Sequence, residues 1–307
     1  MKRTIFSLLN LIRDINHHYF YLLIAFISIN GLAQTKTDFF SLNYTIIPKG
    51  EFKDEVGEAQ LSHLDLNCIT PTIKLGTKSK INNILYYRFS QYDYNSFPTE
   101  DVLLPKNFHE IRYTILARQS ISSNWEMLLV PKLAIRSDFE ENISRKDLFP
   151  AVSTIFMRTS KRDNNMKWGF GVNYNNDLGK NSVIPILAFN YLSDKVRFNA
   201  IFPNNANLTF TSLKKVEYGF AFTTDATLVH VNTFESIDYV RTLNVHLNPT
   251  FSYNLTSNFW VNLKAGIVVR RKYDLYNTDF ETPSDDFENK LKSSGFVQLG
   301  VSLRTKT

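Results

Sequence analysis

Two histidines stand where strand spacing would let them do chemistry. His63 and Asp65 lie two apart in LSHLDLN, on one face of an extended chain, and a His-x-Asp pair can ligate a metal or move protons. Two such groups alone specify neither role. His246, in LNVHLNPT, shares its face with Asn244, Asn248 and Thr250. A lipid-modifying barrel enzyme would need a nucleophile at strand spacing from that histidine, and the residue two beyond it is the amide Asn248. A lumen histidine hydrogen-bonded to its neighbours is the simpler reading. No Cys/His cluster, glycine-rich phosphate loop, G-x-S-x-G elbow or H-E-x-x-H pattern occurs. The acidic stretch TDFETPSDDFENK at 278–290 lacks the spacing of a calcium loop and reads as solvated. The expectation is a protein that is not an enzyme and has no catalytic, cofactor-binding or metal-binding residues.

The elements that would carry these residues are strands. With 43% apolar and 21% charged residues the chain is not disordered, and its 25 Phe and 15 Tyr favour strands. The net charge of +6 comes from single scattered basic residues, without the patch or motif of a nucleic-acid binder. At the N-terminus Lys2, Arg3 and Arg13 precede the apolar run Tyr19–Asn30 and then Gly31-Leu32-Ala33. That is a secretory signal pattern, with cleavage expected between Ala33 and Gln34. The expected domains are therefore a signal peptide, 1–33, and a single mature domain, 34–307. Removing residues 1–33 lowers the net charge from +6 by 2 to +4. The only cysteine, Cys68, rules out an intrachain disulfide and lies too far from the cut to be a lipidated first residue.

Beyond residue 34, apolar residues recur at every second position. In MKWGFGVNYNND, residues 166–177, Trp168, Phe170, Val172 and Tyr174 alternate with Lys167, Gly169, Gly171, Asn173 and Asn175. Segments of this kind predict strands near 38–47, 60–75, 81–92, 108–118, 124–137, 149–159, 166–176, 182–192, 195–202, 206–212, 215–224, 239–253, 259–271 and 293–304. Most have the length needed to cross a bilayer. Connections alternate between short (76–80, 119–123, 160–165, 193–194, 213–214, 254–258) and long (48–59, 93–107, 138–148, 225–238, 272–292), with 177–181 and 203–205 as exceptions. The expected fold is an all-β, closed antiparallel transmembrane β-barrel of about 14 strands, in the outer membrane. Prolines 71, 131, 185 and 249 inside these segments make 12 the alternative count.

On this reading the apolar row of residues 166–177 faces lipid. The two glycines leave space in the lumen, so Phe170→Arg should impair assembly more than Gly171→Ser. The inward face holds Lys74, Arg88, Arg112, Arg118, Lys132, Arg136, Lys167, Arg197, Lys264, Arg270 and Arg304, against Asp65, Glu110, Glu126 and Glu217. Such an excess would favour anions in an open lumen, whereas a filled lumen would make these residues a salt-bridged plug. The candidate polar cluster is Arg112, Glu110, Lys132, Arg136, Lys264 and His246.

The signal ending in LAQ, the stretch VIPILAFNYLSDKVRFNAIFPNNANLTF at 183–210 and the ending FVQLGVSLR resemble an uncharacterised Bacteroidota-type outer-membrane β-barrel family, a domain of unknown function. The pattern of Pro185, Leu187, Phe189 and Tyr191 followed by Ile201-Phe202-Pro203 carries the likeness, which covers most of residues 35–307. It implies a fold and a location and brings no catalytic residues. After Leu303-Arg304 the chain ends Thr305-Lys306-Thr307 rather than on the aromatic residue usual for barrels. The expected role is a passive, porin-like channel or a structural or surface element of a Gram-negative envelope. Its expected partners are outer-membrane lipid and the barrel assembly machinery, with no nucleic acid and the oligomeric state open. The alternatives are a lipid-modifying outer-membrane enzyme and a soluble periplasmic β-sandwich binding protein.

Overall fold

The computed structural model describes residues 38–53, 57–95, 106–177, 181–211, 213–232, 237–281 and 290–305. The expected signal peptide lies outside them, as does most of the acidic 278–290 stretch. The strands are β1 (Asp38–Glu51), β2 (Glu58–Ile69), β3 (Ile73–Leu75), β4 (Ser79–Asn95), β5 (Asn107–Ser120), β6 (Trp125–Ser137), β7 (Leu148–Thr159) and β8 (Met166–Asn175). They continue as β9 (Ser182–Leu192), β10 (Val196–Phe202), β11 (Asn205–Phe210), β12 (Val216–His230), β13 (Tyr239–Asn254), β14 (Phe259–Tyr276), β15 (Lys290–Leu291) and β16 (Ser294–Arg304). β3 and β15 are short additions to β4 and β14. The other fourteen form a closed antiparallel barrel, in which β16 returns to β1 through pairs such as Ser41↔Ser302 and Tyr44↔Leu299.

Closure satisfies the backbone from strand to strand, which a membrane-spanning sheet requires. Alternation then sets the two faces. Trp168, Phe170, Val172 and Tyr174 are exposed on the outside, as are Tyr44, Leu85, Leu187, Phe220 and Leu299. Asp65, Glu110, Arg136, Glu217 and Arg304 are buried inside. Apolar groups outside and charges inside match lipid around the wall, and the protein is an outer-membrane β-barrel.

The prolines sit where the ladder can spare a donor. Pro71 falls between β2 and β3. The β5–β6 pairing skips Pro131, between Thr114↔Lys132 and Ala117↔Leu129, and the β13–β14 pairing skips Pro249, between Leu247↔Ile267 and Thr250↔Lys264, with the register unchanged on either side. Pro185 lies on a stretch of β9 that has no β10 partner.

Three expectations are corrected. A β-bulge on β14 pairs His246 with Val268 but Val245 with Arg270, so the extra residue reverses the alternation. Arg270 is exposed, and Arg271, 2% exposed, takes the inward position. Lys74 is exposed on β3 rather than inside the wall. Gly169 and Gly171 do not open lumen space. A Cβ on Gly171 would lie 2.1 Å from the Thr154 carbonyl oxygen, and one on Gly169 2.3 Å from that of Phe156, so both glycines permit a close approach of β7. Gly171→Ser is therefore no benign control.

The strands also reach further than the sequence suggests. β12 runs to His230 and β14 to Tyr276, through stretches read as loop. Val229, Tyr273 and Leu275 on these strands, with Val231 just beyond β12, join Ile47, Leu61, Tyr92, Phe108 and Phe296 in an apolar core.

The wall is uneven. β11 pairs β12 only as far as Asn205↔Thr223, and β10 pairs β9 only as far as Phe202↔Leu187. Above that level the β12 backbone has β13 on one side, and at its end His230 pairs in parallel with Ser137 of β6. The back of upper β12 packs inward, with Leu228 against Ala134 and Phe149.

Candidate functional site

Strand register places the lumen charges in contact. Arg136, 2% exposed, donates from Nη1 to Asp177 at 2.6 Å, and its Nε lies 3.4 Å from Glu110. Glu110 also receives Arg112 Nη1 at 3.2 Å, and Lys132 Nζ lies 3.5 Å from Asp177. Four members of the expected cluster, Arg112, Glu110, Lys132 and Arg136, thus form one network on β5 and β6. Lys264 and His246 sit elsewhere. Lys264 is on β14 opposite Thr250 and Gln298, and His246 on β13 stands edge-on to Phe296 at 4.8 Å.

Arg88 of β4 donates to Asp65, its ladder partner on β2, at 2.6 Å, and across the lumen to Asp225 of β12. Tyr92 of β4 meets Tyr273 of β14 edge-on at 5.1 Å, with Tyr94 5.9 Å from the same ring. The Arg88–Asp225 and Tyr92–Tyr273 contacts join walls that are not sheet neighbours. Nearer the short turns, Glu217 accepts from Arg197 Nη2 at 2.5 Å and Arg304 Nη1 at 2.7 Å, while Arg304 Nε donates to Asp38 at 2.6 Å.

Asp38, Asp177 and Asp225 were missed in the sequence because each stands at the edge of, or beyond, the alternating segments. They offset much of the basic excess expected inside. The register could have disclosed one further pair. His63 is opposite Ser90 in the β2–β4 ladder, and its Nδ1 shares a 2.9 Å hydrogen bond with the Ser90 hydroxyl. A Ser–His pair is chemically suggestive, but the space beside it is about 20 Å³, enough for roughly one water. Asp65, on the same face, is held by Arg88 and by the Tyr86 hydroxyl at 2.6 Å. Among the described residues no group of three or more His, Cys, Asp or Glu could hold a metal ion.

The long-loop end is latched. A 3-10 turn, Arg145–Asp147, is capped by Ser144, whose backbone N–H donates to Asp147 at 2.6 Å. Asp147 meets His230 Nδ1 at 2.9 Å, Lys146 donates to Asp238 at 2.6 Å, and the Asn232 N–H donates to Asp138 at 2.9 Å. Burial acts to raise the Asp147 carboxyl, but hydrogen bonds from the Ser144 backbone and from His230, Ser137 and Ser144 side chains hold it below its ordinary value. Asp238 is likewise lowered against its burial, by hydrogen bonds from Lys146 and Thr278.

A search of curated proteins finds no match. Solved barrels resemble the chain at low identity. An outer membrane channel of Pseudomonas putida F1 is 7% identical, with TM-score 0.43, over 91% of this chain and 98% of its own. The P. putida toluene transporter TodX is 9% identical, with TM-score 0.38, over 90% and 91%. LpxR from Salmonella typhimurium is 8% identical, with TM-score 0.32, over 86% and 99%. These are likenesses of fold. A family model matches residues 29–304, and the chain belongs to the family described as Domain of unknown function (DUF6268).

Proposed function

We propose that the protein is a structural or surface barrel of the outer membrane whose axis is shut to free diffusion. The observation that carries this is the cross-lumen contact of β4 with β12 and β14, through Arg88–Asp225 and Tyr92–Tyr273. An ion moving along the axis would have to displace a partly buried ion pair and an apolar core, both costly. Purified protein in planar bilayers is expected to show no conductance steps. Regular steps in the wild-type protein would overturn the reading in favour of a passive channel.

The protein acts without catalysis in this proposal. His63 and Ser90 have no room for a substrate, and His246 packs on Phe296. Envelope lipid composition is expected to be the same in cells carrying His63→Ala, His246→Ala or the wild type. A lipid species changed by either variant would point to an enzyme. A Bacteroidota-type host, an N-terminal signal peptide and insertion by the barrel assembly machinery belong to the same proposal. The sequence pattern at 1–33 and 183–210 supports it, together with the barrel fold that such machinery inserts.

A further inference from the structure

Behind the low stretch of wall lies a chamber of about 170 Å³. Its walls include Lys132 of β6, Ser153 of β7, Asn173 of β8 and Ile184 of β9, with Asn204 at the β10–β11 turn and the back of β12 at Thr224. Both edges and the floor of the opening therefore contribute to its lining. β9 lacks a β10 partner from Ser182 to Ile186, and β12 lacks a β11 partner above Thr224. The floor is fixed by the Thr224 N–H donating to the Asn204 carbonyl at 2.7 Å and the Thr224 hydroxyl to that of Pro203 at 3.2 Å.

Depth decides what this opening faces. Seven residues of β10, at about 3.3 Å rise and a tilt of about 40°, climb roughly 18 Å, whereas the apolar band of a barrel is about 25 Å tall. Counted upward from Val196, the gap therefore begins within the height of such a band. Val183, on its rim, is 67% exposed, as suits a lipid-facing position.

The chamber's lining is polar and carries one cation, Lys132, and one carboxylate, Asp177. Arg112, Lys132 and Arg136 face two carboxylates, Glu110 and Asp177, which leaves one positive charge in excess. Asp177 is already engaged by Arg136 at 2.6 Å, and its 3.5 Å separation from Lys132 leaves that ammonium with donors to spare. Asn173, Asn204, Ser153 and Thr224 line the same chamber, with the Ser153 hydroxyl donating to Asn173 Oδ1 at 2.9 Å. We propose that the chamber binds a phosphate-type oxyanion, with Lys132 as its cationic anchor, and that the gap between β9 and β12 admits it from the side. The source is either the headgroup of a lipid in the outer leaflet or a free phosphate.

The test uses the full chain in non-ionic detergent, titrated calorimetrically with inorganic phosphate in one arm and with phosphatidic acid in mixed micelles in the other. Saturable binding is expected, weakened at least tenfold in Lys132→Met and in Ala226→Trp, which fills the chamber from β12. Binding of phosphatidic acid alone identifies the lipid as the source, and binding of inorganic phosphate alone identifies the free anion. No binding in either arm, or binding undiminished in both variants, would overturn the proposal. Because Ala226→Trp leaves the ion-pair network in place, it keeps the test decisive should Lys132→Met fold poorly. Conductance of the axis is a separate readout, so this site can fail while the closed barrel stands, and the reverse.

Discussion

Replacing Glu217 by alanine is expected to destabilise the barrel by about 3–5 kcal/mol, the usual result of removing one partner from a buried ion pair. Glu217 is 4% exposed and holds two guanidinium groups from different strands, Arg197 of β10 and Arg304 of β16. Arg304 keeps Asp38 in the variant and stacks its guanidinium over Trp260 at 4.2 Å. Arg197 loses the carboxylate that neutralises it, so the cost should fall near the lower end of the range. Urea unfolding in lipid vesicles, followed by tryptophan fluorescence, would measure it. Glu217→Gln, which retains hydrogen-bond acceptors, should cost less. Equal and negligible effects of both variants would show that the lumen there is wet enough to solvate the arginines.

Phe170→Arg is expected to cost about 2–4 kcal/mol, the penalty for a cation on the lipid face near mid-membrane. Phe170 is 50% exposed on the outer wall, between Trp168 and Val172. Its ring lies 6.1 Å from that of Phe156 and 6.4 Å from that of Trp125, so some aromatic packing is lost as well. The comparison that isolates lipid exposure is Phe170→Leu, which keeps an apolar side chain at the same position. Assembly would be scored as the fraction of heat-modifiable, folded protein in outer-membrane preparations. If arginine and leucine assembled equally well, the outward row would not be facing lipid. Gly171→Ser is also expected to fold poorly, since its Cβ would collide with the β7 backbone. That penalty would arise from strand packing and carries no information about lipid.

The two faces of the wall were legible in the sequence because strand geometry has a period of two, and each apolar residue of the alternating segments must choose lipid. Fourteen strands, their sequential antiparallel order and the inward direction of Glu110, Arg112, Lys132 and Arg136 follow from that local rule. Prolines 131 and 249 obscured the strand count, because their missing donors are accommodated only by breaks in particular ladders. Where a single residue upsets the period, pattern reading fails. The bulge that exchanges Arg270 for Arg271 is set by how β13 and β14 register against each other, and nothing in VVRRKY marks it.

The acidic partners of the lumen were illegible for a different reason. Asp177 and Asp225 lie outside the alternating segments, and their closeness to Arg136 and Arg88 depends on how strands meet across the barrel. By itself the sequence determined the fold and the lipid-facing row, both of which depend on contacts between residues near in the chain or adjacent in a ladder. Only the tertiary structure decided that β4 meets β12 and β14 across the lumen, that β12 leans inward to reach β6 at Ser137, and that a polar chamber remains behind it. Those features come from distances between strands that are not neighbours, which curvature and strand length set jointly and no single segment encodes.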